Sequence, residues 1–206
     1  MARLSSKQKE IVRERIIEKS RKLFFEHGFK KTSTRMIAKA AGIANGTLFN
    51  YFDSKGEIFI EILSTGYMKK DAMMAKVNSE DKLPSELIFD FCANNMAIFL
   101  SPPKNMLKET MGVVVSSINK KYNLLSKIME LDIGFIDELN SLIASLINDR
   151  ALRGCNPTLL SEAIYSSIIY DYVFFILSEE LEKGDFLNRM KEKITFLVGP
   201  YEKKWL

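Results

Sequence analysis

The stretch T34-R-M-I-A-K-A-A-G-I-A-N-G-T-L-F-N-Y-F-D-S-K-G-E-I-F59 decides the fold of this 206-residue chain. Ile37 and Ala38 place apolar and small side chains on one face of a short helix, so a second helix can cross closely. Gly42 permits a sharp turn between the two helices. Leu48 and Phe52, four residues apart, then anchor the second helix to a core. This pattern predicts a helix-turn-helix, whose second helix enters the major groove of DNA.

The remainder of the chain also has a helical period, and no strong alternating run indicates a strand. Glycine, proline and Asp-Ser punctuation divides the chain into about nine helices. The predicted helices span 6–27, 34–41 (with Ser33 or Thr34 as N-cap), 45–52, 55–77, 83–100, 103–119, 121–153, 157–182 and 185–205. We therefore expect an all-α protein.

The quoted stretch resembles the DNA-binding domain of the TetR (tetracycline-repressor-like) regulators. The shared pattern is an ordered run filled here by Thr34, Ile37, Ala38, Ala41, Gly42, Ile43, Gly46, Thr47, Leu48, Phe49, Tyr51, Phe52, Ser54, Lys55 and Ile58. With the preceding helix (Ile17, Leu23, Phe24, Gly28, Phe29), the resemblance covers about residues 6–63. It implies a three-helix DNA-binding domain over residues 1–54 and a helical effector-binding and dimerisation domain over residues 55–206.

The resemblance also implies roles for individual residues of the motif. Phe49 stands where the family usually has Tyr, and Ala44 replaces a commonly polar residue, so both individual contacts differ from the family pattern. The expected contacts with double-stranded DNA are made by Thr34, Arg35, Ala44, Asn45, Gly46, Thr47, Phe49, Asn50, Tyr51 and Lys55.

The charge of the chain is distributed unevenly. Residues 1–56 contain thirteen Lys/Arg and five Asp/Glu, whereas the remaining residues contain seventeen and twenty-one. A basic head on a slightly acidic body suggests a polyanion partner, although a solvated basic face gives the same count. The alternative function is a nucleoid-type protein that binds DNA through charge alone. We expect no enzyme, cofactor or metal site, because the sequence contains no metal cluster, Ser/His/Asp set or phosphate loop.

The last two predicted helices are the candidates for a homodimer interface. Residues 157–182 are apolar on more than one side, so a second surface must cover them unless the core is unusually deep. The resemblance implies a four-helix interface, two helices from each chain. The expected interface residues are Ile164, Ile168, Tyr172, Phe175, Ile194 and Leu197.

The resemblance further implies a pocket for a small, largely apolar effector, although ordinary core packing accounts for the same residues. Asp171 interrupts an apolar run and needs a partner: a ligand, a tyrosine hydroxyl or a residue across the dimer. The expected mechanism is a repressor released from a palindromic operator when an effector tilts the helix predicted at 55–77. The candidate pocket residues are Tyr67, Phe91, Met96, Phe99, Met111, Phe135, Asp171 and Phe174.

Three features predict a cytoplasmic protein without a membrane segment. Cys92 and Cys155 lie in no paired motif and are expected to be reduced. The charged N-terminal residues do not resemble a signal peptide. The most apolar stretch, 163–178, is shorter than a membrane span of about 20 residues.

Overall fold

A computed structural model of the chain describes residues 5–68, 82–118 and 124–203, and the side chains of Tyr67 and Met68 lie outside the described part. Within these ranges the protein is all-α, with nine helices and no strand, which confirms the predicted class. The helices are α1 (Ser6–His27), α2 (Thr34–Ala40), α3 (Asn45–Leu48), α4 (Lys55–Met68), α5 (Pro84–Met96), α6 (Lys104–Ser116), α7 (Leu124–Asn148), α8 (Pro157–Leu177) and α9 (Lys183–Val198), followed by a 3-10 turn (Gly199–Tyr201).

Several helices end earlier than the sequence predicts. α3 stops at Leu48, and residues 49–51 continue as turns. α8 ends at Leu177 because Ser178 is extended, and its hydroxyl accepts the N–H groups of Glu180 and Leu181 at 3.3 and 3.4 Å. Such side-chain bonds offer the backbone an alternative to the helix. The predicted end of α4 at residue 77 lies outside the described residues.

The chain divides into two compact units, one of which contains residues 1–69 and 102–129. Its core includes the rings of Phe24, Phe29 and Phe59, whose centroids lie 5.4–5.7 Å apart. Ile16 of α1, Ile37 of α2 and Leu48 of α3 are fully buried in the same unit. Because α4 and α6 share this unit with α1–α3, the predicted functional boundary at 54/55 stays a prediction.

The second unit contains residues 70–101 and 130–206, and α9 is the helix on which it is organised. α5 and α8 both pack against α9. α8 buries one face, at a repeated spacing of three and four residues, and leaves the opposite face exposed. The buried face includes Leu160, Ile164, Ile168, Asp171 and Phe175.

By length and composition α8 is also the one described helix that could cross a membrane. Its buried face, however, carries the ion-paired carboxylate of Asp171, which lies against α9. Such packing is typical of a helix in the core of a globular domain.

Candidate nucleic-acid interface

The turn between α2 and α3 is closed by backbone hydrogen bonds that require glycine. The N–H of Ile43 donates to the carbonyl of Ala38 (3.0 Å), and the N–H of Gly42 donates to that of Lys39 (3.1 Å). This pair of bonds is a Schellman motif, which needs a left-handed residue just after the helix. Gly42 has φ +67°, which glycine adopts without the cost that a side chain would add. The turn therefore sets the angle at which α3 leaves α2.

The start of α2 is fixed by a side-chain cap. The hydroxyl of Ser33 accepts the N–H of Met36 at 3.2 Å, so Ser33 is the N-cap and Thr34 is the first helical residue. Thr34 is half-buried, whereas Arg35 and Lys39 are exposed. The N-terminal end of α2 therefore presents a cation and unpaired backbone N–H groups to solvent.

Helix α3 is held from one side only. Leu48 and Phe52 are buried in the core of the first unit. Ala44, Gly46 and Asn50 are exposed, and Phe49 keeps 46% of its surface accessible. The predicted contact residues of α3 thus share the outward side, and their contacts with DNA stay predictions.

Three further predicted contact residues, Asn45, Thr47 and Tyr51, are half-buried. The side-chain oxygen of Asn45 is buried with no donor among the described residues. A C–β atom added at Gly46 would meet open space, so packing within the chain does not require glycine there. A close approach of another molecule to the backbone would explain glycine at this position.

The ammonium of Lys55, which is predicted to meet the DNA backbone, makes hydrogen bonds within the chain, and its contact with DNA stays a prediction. Its ammonium donates to the carbonyl oxygens of Phe29 (2.6 Å), Thr32 (2.9 Å) and Lys30 (3.4 Å), all in the connection between α1 and α2. The ammonium also lies 4.4 Å from the centroid of the Phe29 ring. A lysine has three N–H donors, so a phosphate contact would compete with these bonds.

The same connection is held from α6 by a residue that sequence reasoning missed. The carboxylate of Glu109 accepts the backbone N–H of Lys30 at 2.9 Å. Burial lowers the pKa of Lys55, and the charge of Glu109 partly opposes this shift. The loop before α2 is therefore clamped by one cation and one anion.

Residues of α6 and α7 in the same unit contact the start of α4. The carboxylate of Glu57 accepts the N–H of Asp53 (2.6 Å) and pairs with the ammonium of Lys127 (2.5 Å). A C–β atom at Gly56 would lie 2.8 Å from Val113 and 2.9 Å from Leu124. Nothing in the local sequence indicated the contacts with Lys127, Val113 and Leu124, because these residues lie more than fifty positions away.

The structure corrects most of the predicted dimer residues. Ile164, Ile168, Phe175 and Ile194 are buried inside the chain itself, so no partner can reach them. Tyr172 is half-buried and donates its hydroxyl to the carbonyl of Phe99 at 3.0 Å. Burial raises the pKa of this phenol. Leu197 is half-buried too.

A different set of residues on α8 and α9 faces outward. Six exposed residues of α8 recur every three or four positions, which places them within about 40° of one line along the helix. Phe196 of α9 is 80% exposed, and it follows Arg189 by seven residues, so both lie on one side of α9. We call this set the outer stripe; it consists of Leu159, Ala163, Ser166, Tyr170, Phe174, Leu177 and Phe196.

Asp171 has partners that the sequence analysis did not name. Its carboxylate is 1% exposed and accepts Nε and Nη2 of Arg189 at 3.2 and 2.9 Å, while Nζ of Lys193 lies 2.8 Å from its other oxygen. The two cations also lie over the rings of Phe174 and Tyr170. Asp171 thus ties α8 to α9, and Phe174 belongs to the exposed outer stripe, so neither is placed as a pocket residue.

The other predicted pocket residues fall into separate places. Phe91 packs on the buried Phe135, with ring centroids 5.6 Å apart. Met96 is buried, and Phe99 is half-buried in the same unit. Met111 belongs to the first unit, and the side chain of Tyr67 lies outside the described residues. The structure therefore brings Phe91 and Phe135 together and leaves the larger pocket a prediction.

A tight turn between α2 and α3, with one side of α3 exposed, is the helix-turn-helix geometry of DNA-binding transcription regulators. The family model of bacterial regulatory proteins, tetR family, matches residues 16–62, which span α1 to α4. This match supports a TetR-family transcriptional regulator.

Two curated relatives match the sequence of this chain over most of its length. The uncharacterized HTH-type transcriptional regulator YhgD of Bacillus subtilis is 23% identical over 76% of this chain and 82% of its own length. The fatty acid metabolism regulator protein of the same organism is 21% identical over 96% of this chain and all of its own. Several further curated relatives are matched over only 20–40% of their length.

The fold of the whole chain is similar to that of solved structures. A TetR transcription regulator from Haloarcula marismortui superposes with a TM-score of 0.67 at 14% identity, covering 94% of this chain and 100% of that one. At this identity the likeness shows the fold alone. The relatives therefore support a DNA-binding transcriptional regulator, and they do not identify its effector.

Proposed function

We propose that the protein is a cytoplasmic, homodimeric repressor that binds a palindromic operator and is released by a small, largely apolar effector. The single observation that carries this proposal is the one-sided anchoring of α3. Leu48 and Phe52 fix the helix from behind, whereas Ala44, Gly46 and Asn50 face solvent at a geometry suited to a major groove.

The proposed DNA contacts divide into two kinds. Arg35, at the exposed start of α2, meets backbone phosphate or a guanine edge, because a guanidinium can donate two parallel bonds. Thr47 and Asn50 meet base edges. Asn45 can offer its amide N–H outward, because its oxygen is the buried atom. Ala44, Gly46 and Phe49 allow close approach and apolar contact with thymine methyl groups. Thr34 and Tyr51 contact the flanking backbone.

The outer stripe is the proposed dimer surface. It runs from Leu159 to Leu177 along α8, a length of about 27 Å at 1.5 Å per residue. A second copy would bury its aromatic rings beside the cations of Arg189 and Lys193. In a homodimer on a palindromic operator, the two copies of α3 would lie about one helical turn of DNA, or a multiple of it, apart.

The proposed route of control runs through the first unit. Glu109 of α6 holds the loop before α2, and Lys127 of α7 holds Glu57 at the start of α4. An effector that shifts α6 or α7 would therefore move the loop before α2 and the start of α4, the two segments that flank α2 and α3. Effector and operator would oppose each other by about 1–3 kcal/mol, which is typical of coupled sites.

Selection of bound sequences from a pool of random duplexes tests the function. The wild-type protein should enrich an inverted repeat, and Asn50→Ala should change the preference at the base pairs next to α3. A control substitution at an exposed residue of α1 outside the predicted contacts, Lys22→Ala, should leave the motif unchanged. Binding without any enriched motif would overturn the proposal and favour charge-driven binding of the nucleoid type.

A further inference from the structure

The buried side of α1 begins with a cation, that of Arg13. Arg13 precedes Ile17 by four residues, Ser20 by seven and Phe24 by eleven, so all four share one side of the helix. Ile17, Ser20 and Phe24 are buried, and Arg13 itself is half-buried. A charged group in such a place requires partners, because burial removes part of its hydration.

One partner of Arg13 lies on α4, in the same unit. Nη2 of Arg13 is 2.7 Å from Oε1 of Glu61, and the two side chains are 31% and 20% exposed. An ion pair that water reaches stabilises a fold only slightly. Its geometry matters more here, because the carboxylate holds the planar guanidinium in one orientation.

The second partner is a ring that anchors α3. The guanidinium carbon of Arg13 lies 5.1 Å from the centroid of the Phe52 ring, within the ~6 Å over which a cation and an aromatic ring attract each other. Phe52 is 1% exposed, and its N–H donates to the carbonyl of Leu48 at 3.1 Å. Arg13 therefore connects α1 and α4 to the residue that fixes the end of α3.

Helix α3 depends on such anchors because it is short. It has four residues, and Ala44 supplies no side-chain cap at its start. The backbone bonds of so short a helix do not hold it in place, so tertiary contacts decide where it lies. Leu48 and Phe52 supply these contacts. A shift of the Phe52 ring would therefore turn the exposed side of α3.

We propose that Arg13 is a positioning residue for base recognition: by holding the Phe52 ring relative to α4, it sets the angle at which α3 presents Thr47 and Asn50. This inference rests on the proposed function, since base reading by α3 is itself proposed. Hydrogen bonds to base edges require donors and acceptors at fixed positions, whereas attraction to phosphates tolerates a displaced helix. Loss of Arg13 should therefore reduce the preference for one sequence more than it reduces DNA binding in general.

The test measures, by fluorescence anisotropy, the dissociation constants of the selected inverted repeat and of a scrambled duplex with the same length and composition. Their ratio is the sequence preference. Arg13→Met, which keeps an unbranched side chain and removes the cation, should reduce the preference by about threefold or more. Glu61→Gln should also reduce it, although the two substitutions change the net charge in opposite directions. The double variant should lose little more than Arg13→Met alone, because both substitutions break one arrangement.

Arg15→Met is the matched control, because Arg15 is exposed on α1 and lies about 200° around the helix from Arg13. It should keep the preference of the wild type. Arg13→Lys should recover part of the preference, since an ammonium can pair with Glu61 but lacks the flat face that stacks on a ring. Urea denaturation followed by circular dichroism should show that the variants are folded under the binding conditions. Glu61→Gln carries the test if Arg13→Met does not fold.

Two results would overturn the inference. An unchanged preference in Arg13→Met and Glu61→Gln, with or without a loss of stability, would mean that these contacts only support the core. An equal loss of affinity for both duplexes, with a salt dependence shallower by about one, would mean that Arg13 contacts a phosphate.

The proposed function fails in a different way. Its failure would appear in the wild type itself, as a ratio of dissociation constants near one. Failure of the role given to Arg13 would appear only in the variants, while the wild type keeps its preference for the inverted repeat.

Discussion

Replacing Lys55 by methionine separates a structural role from a DNA contact. The substitution keeps an unbranched side chain and removes the ammonium that reaches three carbonyl oxygens between 2.6 and 3.4 Å away. A hydrogen bond to a charged group contributes about 1.5–3 kcal/mol when well formed. The longest of the three bonds is weak, and water can reach the half-buried ammonium, so we expect a total loss of about 2–3 kcal/mol of unfolding free energy.

Urea denaturation followed by circular dichroism measures this loss, which corresponds to a fall of several degrees in Tm for a chain of this length. The second assay is the dependence of operator affinity on salt concentration. The logarithm of DNA affinity falls linearly with the logarithm of the salt concentration. Removing a lysine that neutralises a phosphate makes this slope shallower by about one. We expect the slope for Lys55→Met to equal that of the wild type.

Lys39→Met is the matched control, because Lys39 is exposed on α2 and its ammonium makes no hydrogen bond among those found in the described residues. It should leave stability within about 0.5 kcal/mol. The reasoning would be refuted if Lys55→Met kept full stability and lowered the salt slope by about one. That result would mean that the ammonium leaves the three carbonyls to contact a phosphate.

Two of the three further predictions concern packing within the units, and the third concerns the proposed dimer surface. Gly56→Ala should destabilise the protein by about 1–2 kcal/mol in urea denaturation, because its new methyl group would press on Val113 and Leu124; Gly112→Ala, which meets open space, should not. Asp171→Asn should cost about 1–2 kcal/mol by the same measurement, since Arg189 and Lys193 are partly exposed and recover some hydration. Phe196→Glu should shift the protein toward monomer in sedimentation velocity, whereas Ile133→Glu, an exposed apolar residue outside the outer stripe, should not.

The local part of the fold could be predicted because its causes are local. Gly42 and the neighbouring backbone close the turn after α2, and Leu48 and Phe52 recur at a helical spacing. Lys55 could not be placed, because the carbonyls that it bonds lie more than twenty residues earlier in the chain. Only the folded arrangement of α1 and α4 brings them together.

The two faces of α8 show the limit of periodicity. Both faces are apolar, so the sequence predicted a helix that is covered twice without indicating which face meets the chain itself. Ile164 and Ile168 prove to be the inner face, whereas Tyr170 and Phe174 face outward. Asp171 was expected to need a partner, but the partners come from α9 of the same chain.

The most direct test of the account is the ratio of two dissociation constants at physiological salt. One is measured for the selected inverted repeat, and the other for a scrambled duplex of equal length and composition. A regulator that reads bases through α3 should prefer the selected duplex by about 10³-fold or more. A ratio near one would show that the basic N-terminal region binds DNA through charge alone and would contradict the account.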